Sequence, residues 1–276
     1  MTAPIPLPAR VLVKGSSTVS WTSWMSGPRT DFTFPRAIEE ELLAVGHPAE
    51  VRNAAMLGTP TKDVFRGFEQ DVLQWSPDVI VIIAGHYETI HLFLPHWFER
   101  YANRVDRRPA GRWGRPYRRA IRAAWKFLAV LQSKIDGPLG ARILRRRLIQ
   151  VASDLEGYLD LVAQVASPLV YVLELLPPSG NKHTWFPGMS ERIDFMNEQI
   201  RQLIDLREKS EVRFLEISEI AHKLVGDDLS VATPDGFHYS PALHREVGRV
   251  LARAIEDWAK DQPHLTTEAQ NPAAAR

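Results

Sequence analysis

The 276-residue chain contains no cysteine. Disulfide scaffolds, thiolate zinc sites, cysteine nucleophiles and thiol redox chemistry are therefore excluded. No apolar run reaches the roughly 18 residues of a membrane span. The opening stretch, MTAPIPLPAR, lacks the charged head and apolar middle of a secretion signal, so the expected location is the cytoplasm. No internal repeat is present. Net charge is also small, with 34 basic residues against 33 acidic ones. What the chain does have is a globular composition, 45% hydrophobic and 24% charged. A chain of this length buries a core without help from disulfides or metals.

The neutral total hides an uneven distribution. Between Arg100 and Arg147 stand thirteen Arg and two Lys against two Asp, a local charge of +13, so the rest of the chain, for a total of +1, carries −12.

Short apolar runs at Val11–Val13, Val79–Ala84, Leu169–Leu175 and Val212–Ile217 lack the two-residue alternation of half-exposed strands. Such runs suit a parallel sheet buried on both faces. Ala49–Arg52 is a fifth candidate strand. Helical patterns fall between them, at Pro35–Val45, Thr61–Trp75, Arg147–Val165 and Ser190–Leu206, with a last helix at Ser240–Lys260. This alternation predicts a doubly wound α/β domain over residues 1–260, with its site at the carboxyl ends of the strands. Residues 91–146 read as an insertion, and 261–276 as a disordered tail.

Two motifs carry chemistry. The first strand runs into Lys14-Gly15-Ser16-Ser17-Thr18, where a glycine permits a tight turn. Backbone N–H groups there can stabilise an oxyanion or a phosphate, or the segment is simply a turn. Asp235-Gly236-Phe237-His238 precedes the last helix. Its carboxylate can fix the imidazole tautomer and free the other ring nitrogen to deprotonate a serine. Alternatively Asp235 is a turn residue, and Ser240-Pro241 only starts the helix.

Taken in order, the motifs resemble those of the SGNH (GDSL-type) hydrolase family. Gly15-Ser16-Ser17 is similar to the family's first block, and Asp235 with His238 to its last. Asn53-Ala54-Ala55-Met56-Leu57-Gly58 is similar to the second block, and DVIVIIAGHYE, with Gly85 in register, to the third. LELLPPSG and MNEQIRQL extend the likeness. The resemblance implies a three-layer α/β/α, flavodoxin-like parallel sheet and hydrolysis of an ester, of an O-acyl carbohydrate or a lipid, through an acyl-enzyme. Ser17, His238 and Asp235 would form the catalytic triad, and the N–H groups of Ser17 and Gly58 would line the oxyanion hole.

The chain departs from the family at two blocks. Ser16 replaces an Asp, and Tyr87-Glu88 replaces the third block's Asn-Asp, whose Asn amide completes the hole. Tyr87 or His86 would have to supply that donor. The resemblance implies no cofactor and no metal. An acyltransferase with the same triad, or a non-catalytic binding protein with an altered oxyanion hole, fits the same residues. A phosphate-binding reading of the Lys14 turn leaves Asp235 and His238 unexplained.

The remaining candidates are less specific. Trp21, Trp24, His183, Trp185 and Phe186 could wall a substrate pocket, or serve only as packing and loop residues. His86, His91 and His96 recur every five residues, which on a helix puts them about 140° apart and argues against a metal site. In Arg115–Ile135, Arg115, Arg118, Arg119, Arg122 and Lys126 share one helical sector, with Ile121, Ala124, Leu128, Leu131 and Ile135 opposite. This helix either packs on the body with a solvated basic face, or meets an anionic substrate, a protein partner or an anionic membrane surface, the last of which would make the protein peripheral. Nucleic acid is disfavoured, because no recognition module is evident.

Overall fold

The computed structural model describes residues 7–20, 33–90, 114–139, 145–207 and 211–265. Its centre is a five-stranded, all-parallel sheet in the order β2-β1-β3-β4-β5. The strands are β1 (Ala9–Gly15), β2 (Ala49–Asn53), β3 (Val79–Ile83), β4 (Leu169–Leu173) and β5 (Val212–Leu215). Every residue of β3 and β4 is buried, as expected of runs covered on both faces. Register is set with Val11 between Val51 and Val79, and Gly15 beside Ile83.

The chain leaves β1 in one direction to make β2, then returns past β1 to make β3, β4 and β5 in the other. Right-handed crossovers therefore place helices on both faces. On one face α2 (Phe34–Ala44) packs against the last helix, α11 (Pro241–Ala259). On the other, α6 (Arg145–Val165) packs against α8 (Met189–Asp205). Leu243, Val247, Leu251 and Ile255 of α11 repeat at helical spacing and are fully buried. Each such side chain contributes about 1.5–3 kcal/mol. Between β1 and β3 the direction of winding reverses, and the crevice at that reversal is where such sheets hold ligands.

Other helices complete this frame. These are α1 (Ser17–Ser20), α3 (Thr61–Val64), α4 (His86–Ile90), α5 (Gly114–Leu139), α7 (Asn181–Trp185), α9 (Ile217–Val225) and α10 (Leu229–Ala232). Among the described residues, no helix is long and apolar enough to cross a membrane.

Three expectations need correction. The single helix expected over Thr61–Trp75 is divided: α3 stops at Val64, the chain turns left-handed at Gly67 (φ +83°), and Glu69–Leu73 forms a π-helical turn. The tail expected from Asp261 is placed on the body as far as Leu265, which is buried near Ala9 and Ala259, while His264 Nε2 lies 2.8 Å from Asp78 Oδ1. The third concerns α5, where the reading that packs its apolar side on the body would turn Ala124 and Leu131 inward. Both are exposed, whereas Gln132 and Asp136 are buried.

The cause of the α5 packing is a buried ion pair. Asp136 bonds the Arg192 guanidinium of α8 and accepts the Gly188 N–H at 3.0 Å. Arg192 Nε in turn donates to the Thr89 carbonyl of α4 at 2.8 Å. Removing one partner would leave the other charge buried and unpaired, at a cost of about 3–5 kcal/mol, so the pair fixes which side of α5 faces the body. The side chains of Arg115, Arg118, Arg119, Arg122 and Lys126 lie outside the described residues.

Candidate active site

Ser17 opens α1, two residues after the end of β1. A Cβ at Gly15 would lie 2.5 Å from Val19 Cγ2 and 2.8 Å from the Ile83 carbonyl oxygen, so only glycine lets β1 run this close to β3 and α1. The turn separates the two serines. Ser16 is buried, with its hydroxyl 3.5 Å from Thr18 Oγ1, while Ser17 reaches the surface.

The last motif meets Ser17 there. His238 Nε2 lies 2.9 Å from Ser17 Oγ, and His238 Nδ1 lies 2.7 Å from Asp235 Oδ2. Asp235 Oδ1 also accepts the backbone N–H groups of Phe237 (3.0 Å) and His238 (2.8 Å). Burial pushes the Asp235 pKa up, but the His238 ring and these two N–H groups outweigh it and hold the carboxyl below its ordinary value. An ionised Asp235 only accepts hydrogen bonds, so Nδ1 carries the proton and Nε2 presents its lone pair to the Ser17 hydroxyl. Ser240 caps α11, its hydroxyl accepting the Leu243 N–H at 3.2 Å. The helix start and the Asp–His arrangement expected as alternatives therefore occur together.

The second block follows the end of β1. Ala54 and Met56 donate to the carbonyls of Val13 and Gly15, each at 2.9 Å, and lead the chain to an exposed Gly58. Lys14, by contrast, is turned away into a buried ion pair with Asp71 at 2.6 Å, which weakens the phosphate-loop alternative further.

The third block forms α4, and its side chains are drawn inward. Glu88 is buried and accepts the Thr61 N–H at 2.7 Å and the Thr61 hydroxyl at 3.1 Å. Burial raises its pKa despite those bonds. Tyr87 is 5% exposed and His86 7%. The His86 ring meets Phe237 edge-on, with centroids 5.5 Å apart, which brings this histidine to the turn that carries His238.

The segment after β4 closes another side. Asn197 of α8 pins it, donating to the Leu175 carbonyl at 2.9 Å and accepting the Leu175 N–H at 3.1 Å. Ser179 then donates its N–H to the Gly236 carbonyl and its hydroxyl to the Thr233 carbonyl, at 3.2 and 2.8 Å. Phe186 lies 5.7 Å from Phe237. His183 and Trp185 are on α7, which buries none of its side chains. Trp21, Trp24, His91 and His96 lie outside the described residues.

Sequence reading did not single out Phe237 or Lys182, whose Nζ sits 5.4 Å from the Phe237 ring centre. The motif spacing marks His238 but gives no sign that its neighbour gathers two other segments around it. A cavity of about 1080 Å³ runs along the β5 edge past Arg201 and Phe214, and no triad candidate lines it. Among the described residues no group of three or more His, Asp or Glu is placed to hold a metal.

The same architecture recurs in solved structures. A lipase/acylhydrolase from Enterococcus faecalis superposes with a TM-score of 0.58 at 14% identity, covering 91% of this chain and 96% of that one. This is the SGNH hydrolase fold. An acetylxylan esterase from Geobacillus stearothermophilus matches at 0.57 and 14%, covering 91% and 95% of the two chains. A carbohydrate acetylesterase from Sinorhizobium meliloti matches at 0.52 and 14%, covering 91% and 99%. No protein-family model matches the sequence, and no curated protein is similar to it in sequence. At such identities the SGNH likeness is one of fold, and the chemistry has to be argued from this chain's own residues.

Proposed function

We propose that the protein is a serine-dependent ester hydrolase in which Ser17 is the nucleophile, His238 the general base and Asp235 its orienting carboxylate. The observation that carries this reading is the unbroken hydrogen-bond path Asp235–His238–Ser17, at 2.7 and 2.9 Å. Ser17 Oγ attacks the acyl carbon while Nε2 takes the hydroxyl proton, and Asp235 stabilises the resulting imidazolium. The tetrahedral intermediate collapses with return of that proton to the departing alcohol, leaving an acyl-enzyme. Water then attacks the acyl carbon, His238 accepts its proton, and the carboxylic acid leaves with Ser17 regenerated.

The N–H groups of Ser17 and Gly58 are the proposed backbone donors to the oxyanion, with a third donor from His86 or Tyr87 of α4. O-Acyl carbohydrates and lipid esters are the proposed substrates, by analogy with what the structural neighbours act on. No metal or cofactor enters the scheme.

Labelling with a fluorophosphonate, followed by intact mass and peptide mapping, tests the nucleophile. One adduct on Ser17 is expected. Ser17→Ala should lose both the adduct and at least about 10⁴-fold in ester cleavage, while Ser16→Ala keeps both. Labelling of Ser16, or equal loss from both variants, would overturn the assignment. Excess alcohol acceptor in the same assay separates a transferase, which would release a new ester in place of the acid.

A further inference from the structure

Lys182 is a half-buried cation beside the turn that carries the triad candidates. Lys14, Lys223 and Lys260 each hold a carboxylate, at 2.6, 3.3 and 2.8 Å. Lys182 is half-buried and pairs with no carboxylate among the described residues. Its stem lies flat on the turn that carries the triad. A Cβ on Gly236 would fall 2.2 Å from Lys182 Cγ, so the absence of a side chain there makes room for it. Its head lies over Phe237, next in sequence to His238. Two anchors hold this segment in place: Ser179 bonds the Gly236 carbonyl, and the Lys182 N–H donates to Ser179 O at 3.2 Å.

A cation fixed by packing, partly out of water and lacking a protein counter-charge attracts an anion from solution. The carboxylate of the same turn, Asp235, is taken up by His238 and two backbone N–H groups, and Asp136 of α5 is taken up by Arg192. The aromatic face beneath the ammonium spreads some of its charge but does not neutralise it.

We propose that Lys182 is a specificity-determining residue of the candidate ester site, selecting substrates that carry an anionic oxygen group, a carboxylate or a phosphate, beside the scissile ester. The proposal rests on the hydrolase reading and narrows its substrate class to anionic esters. Lys182 takes no part in bond making; its ammonium binds the charged end of the substrate while Ser17 attacks the acyl carbon.

The test uses the full-length protein and acetate release from matched aryl acetates: 4-acetoxybenzoate, its uncharged counterpart 4-acetoxybenzamide, and 4-acetoxyphenyl phosphate. The readout is the ratio of kcat/KM for each anion to that for the amide, which cancels any general loss of activity. Wild type should favour the anions, and Lys182→Met should lower the ratio about tenfold. Lys182→Arg should restore it, Lys182→Glu should invert it, and added salt should compress it. The carboxylate and phosphate arms show which anion fits better. An unchanged ratio in Lys182→Met, with the amide still cleaved, overturns this inference and leaves the hydrolase reading standing. Failure of wild type to cleave any of the three, with Ser17 unlabelled, removes the hydrolase reading and this inference together.

Discussion

The turn before α11 and the short helix α4 both border the carboxyl end of the sheet and both carry a carboxylate, but they use it in opposite ways. Asp235 receives two backbone N–H groups and the His238 ring, and is held ionised. Glu88 receives an N–H and a hydroxyl from Thr61 and its own backbone N–H, yet burial pushes it toward its neutral form. The donors around the group, and how deep it sits, decide its role. With three donors and an edge at the surface, a carboxylate can stabilise an imidazolium. With as many donors but full burial, it fastens one short helix to another. The third block departs from the family where Tyr87-Glu88 stands, and Glu88 there works as a clasp between α4 and α3.

The largest effect that would break this comparison is on turnover. Asp235→Asn keeps the shape but favours the wrong His238 tautomer, and should cost about 10⁴-fold in kcat. Glu88→Gln should stay within about tenfold of wild type, since Gln still accepts the Thr61 N–H. Steady-state hydrolysis of an activated acetate by both variants is the measurement. Comparable losses would mean that α4 supplies a carboxylate to the chemistry.

The next effect concerns the third oxyanion donor. His86 packs on Phe237, so His86→Ala should lower kcat by about 10²–10³ if its ring reaches the oxyanion. Tyr87→Phe removes only a hydroxyl from a buried ring and should change kcat less than His86→Ala does. The reverse order would move the donor to Tyr87. Silence at both positions would leave only the backbone donors.

The same contrast explains what could be read from the sequence. The five strands and the long helices were legible because apolar runs and turn residues act locally, while Ser17, Asp235 and His238 were picked out by the order of motifs that resembles the family. The choice of Ser17 over Ser16 came from the resemblance of Gly15-Ser16-Ser17 to the family's first block. The inward side of α5 was not legible. It is chosen by Asp136 meeting Arg192, a pair distant in sequence that leaves no apolar period. Lys182 was hidden for the same reason, since only the folded chain lays it on Gly236 and Phe237. The break at Gly67 overrode a helical pattern that was otherwise continuous.

The smallest effect, and the sharpest, is on stability as pH changes. Asp235 has a folded pKa below its ordinary 3.8, so it stabilises the fold above that value, and this stability is lost as pH falls through the depressed pKa. Glu88 has a folded pKa above its ordinary 4.5, so its contribution is complete below 4.5 and is lost as pH rises through the raised value. Arg147 attracts the ionised form of Glu88 and makes that loss smaller without changing its sign. Urea midpoints of wild type, Asp235→Asn and Glu88→Gln, taken from about pH 3 to pH 8, should therefore diverge in opposite senses. Wild type should gain on Asp235→Asn as pH rises from the acid end, and lose ground to Glu88→Gln as pH rises above about 4.5. If wild type instead gained on both variants with rising pH, Glu88 would be an ionised partner like Asp235, and the distinction between the turn and α4 would fail.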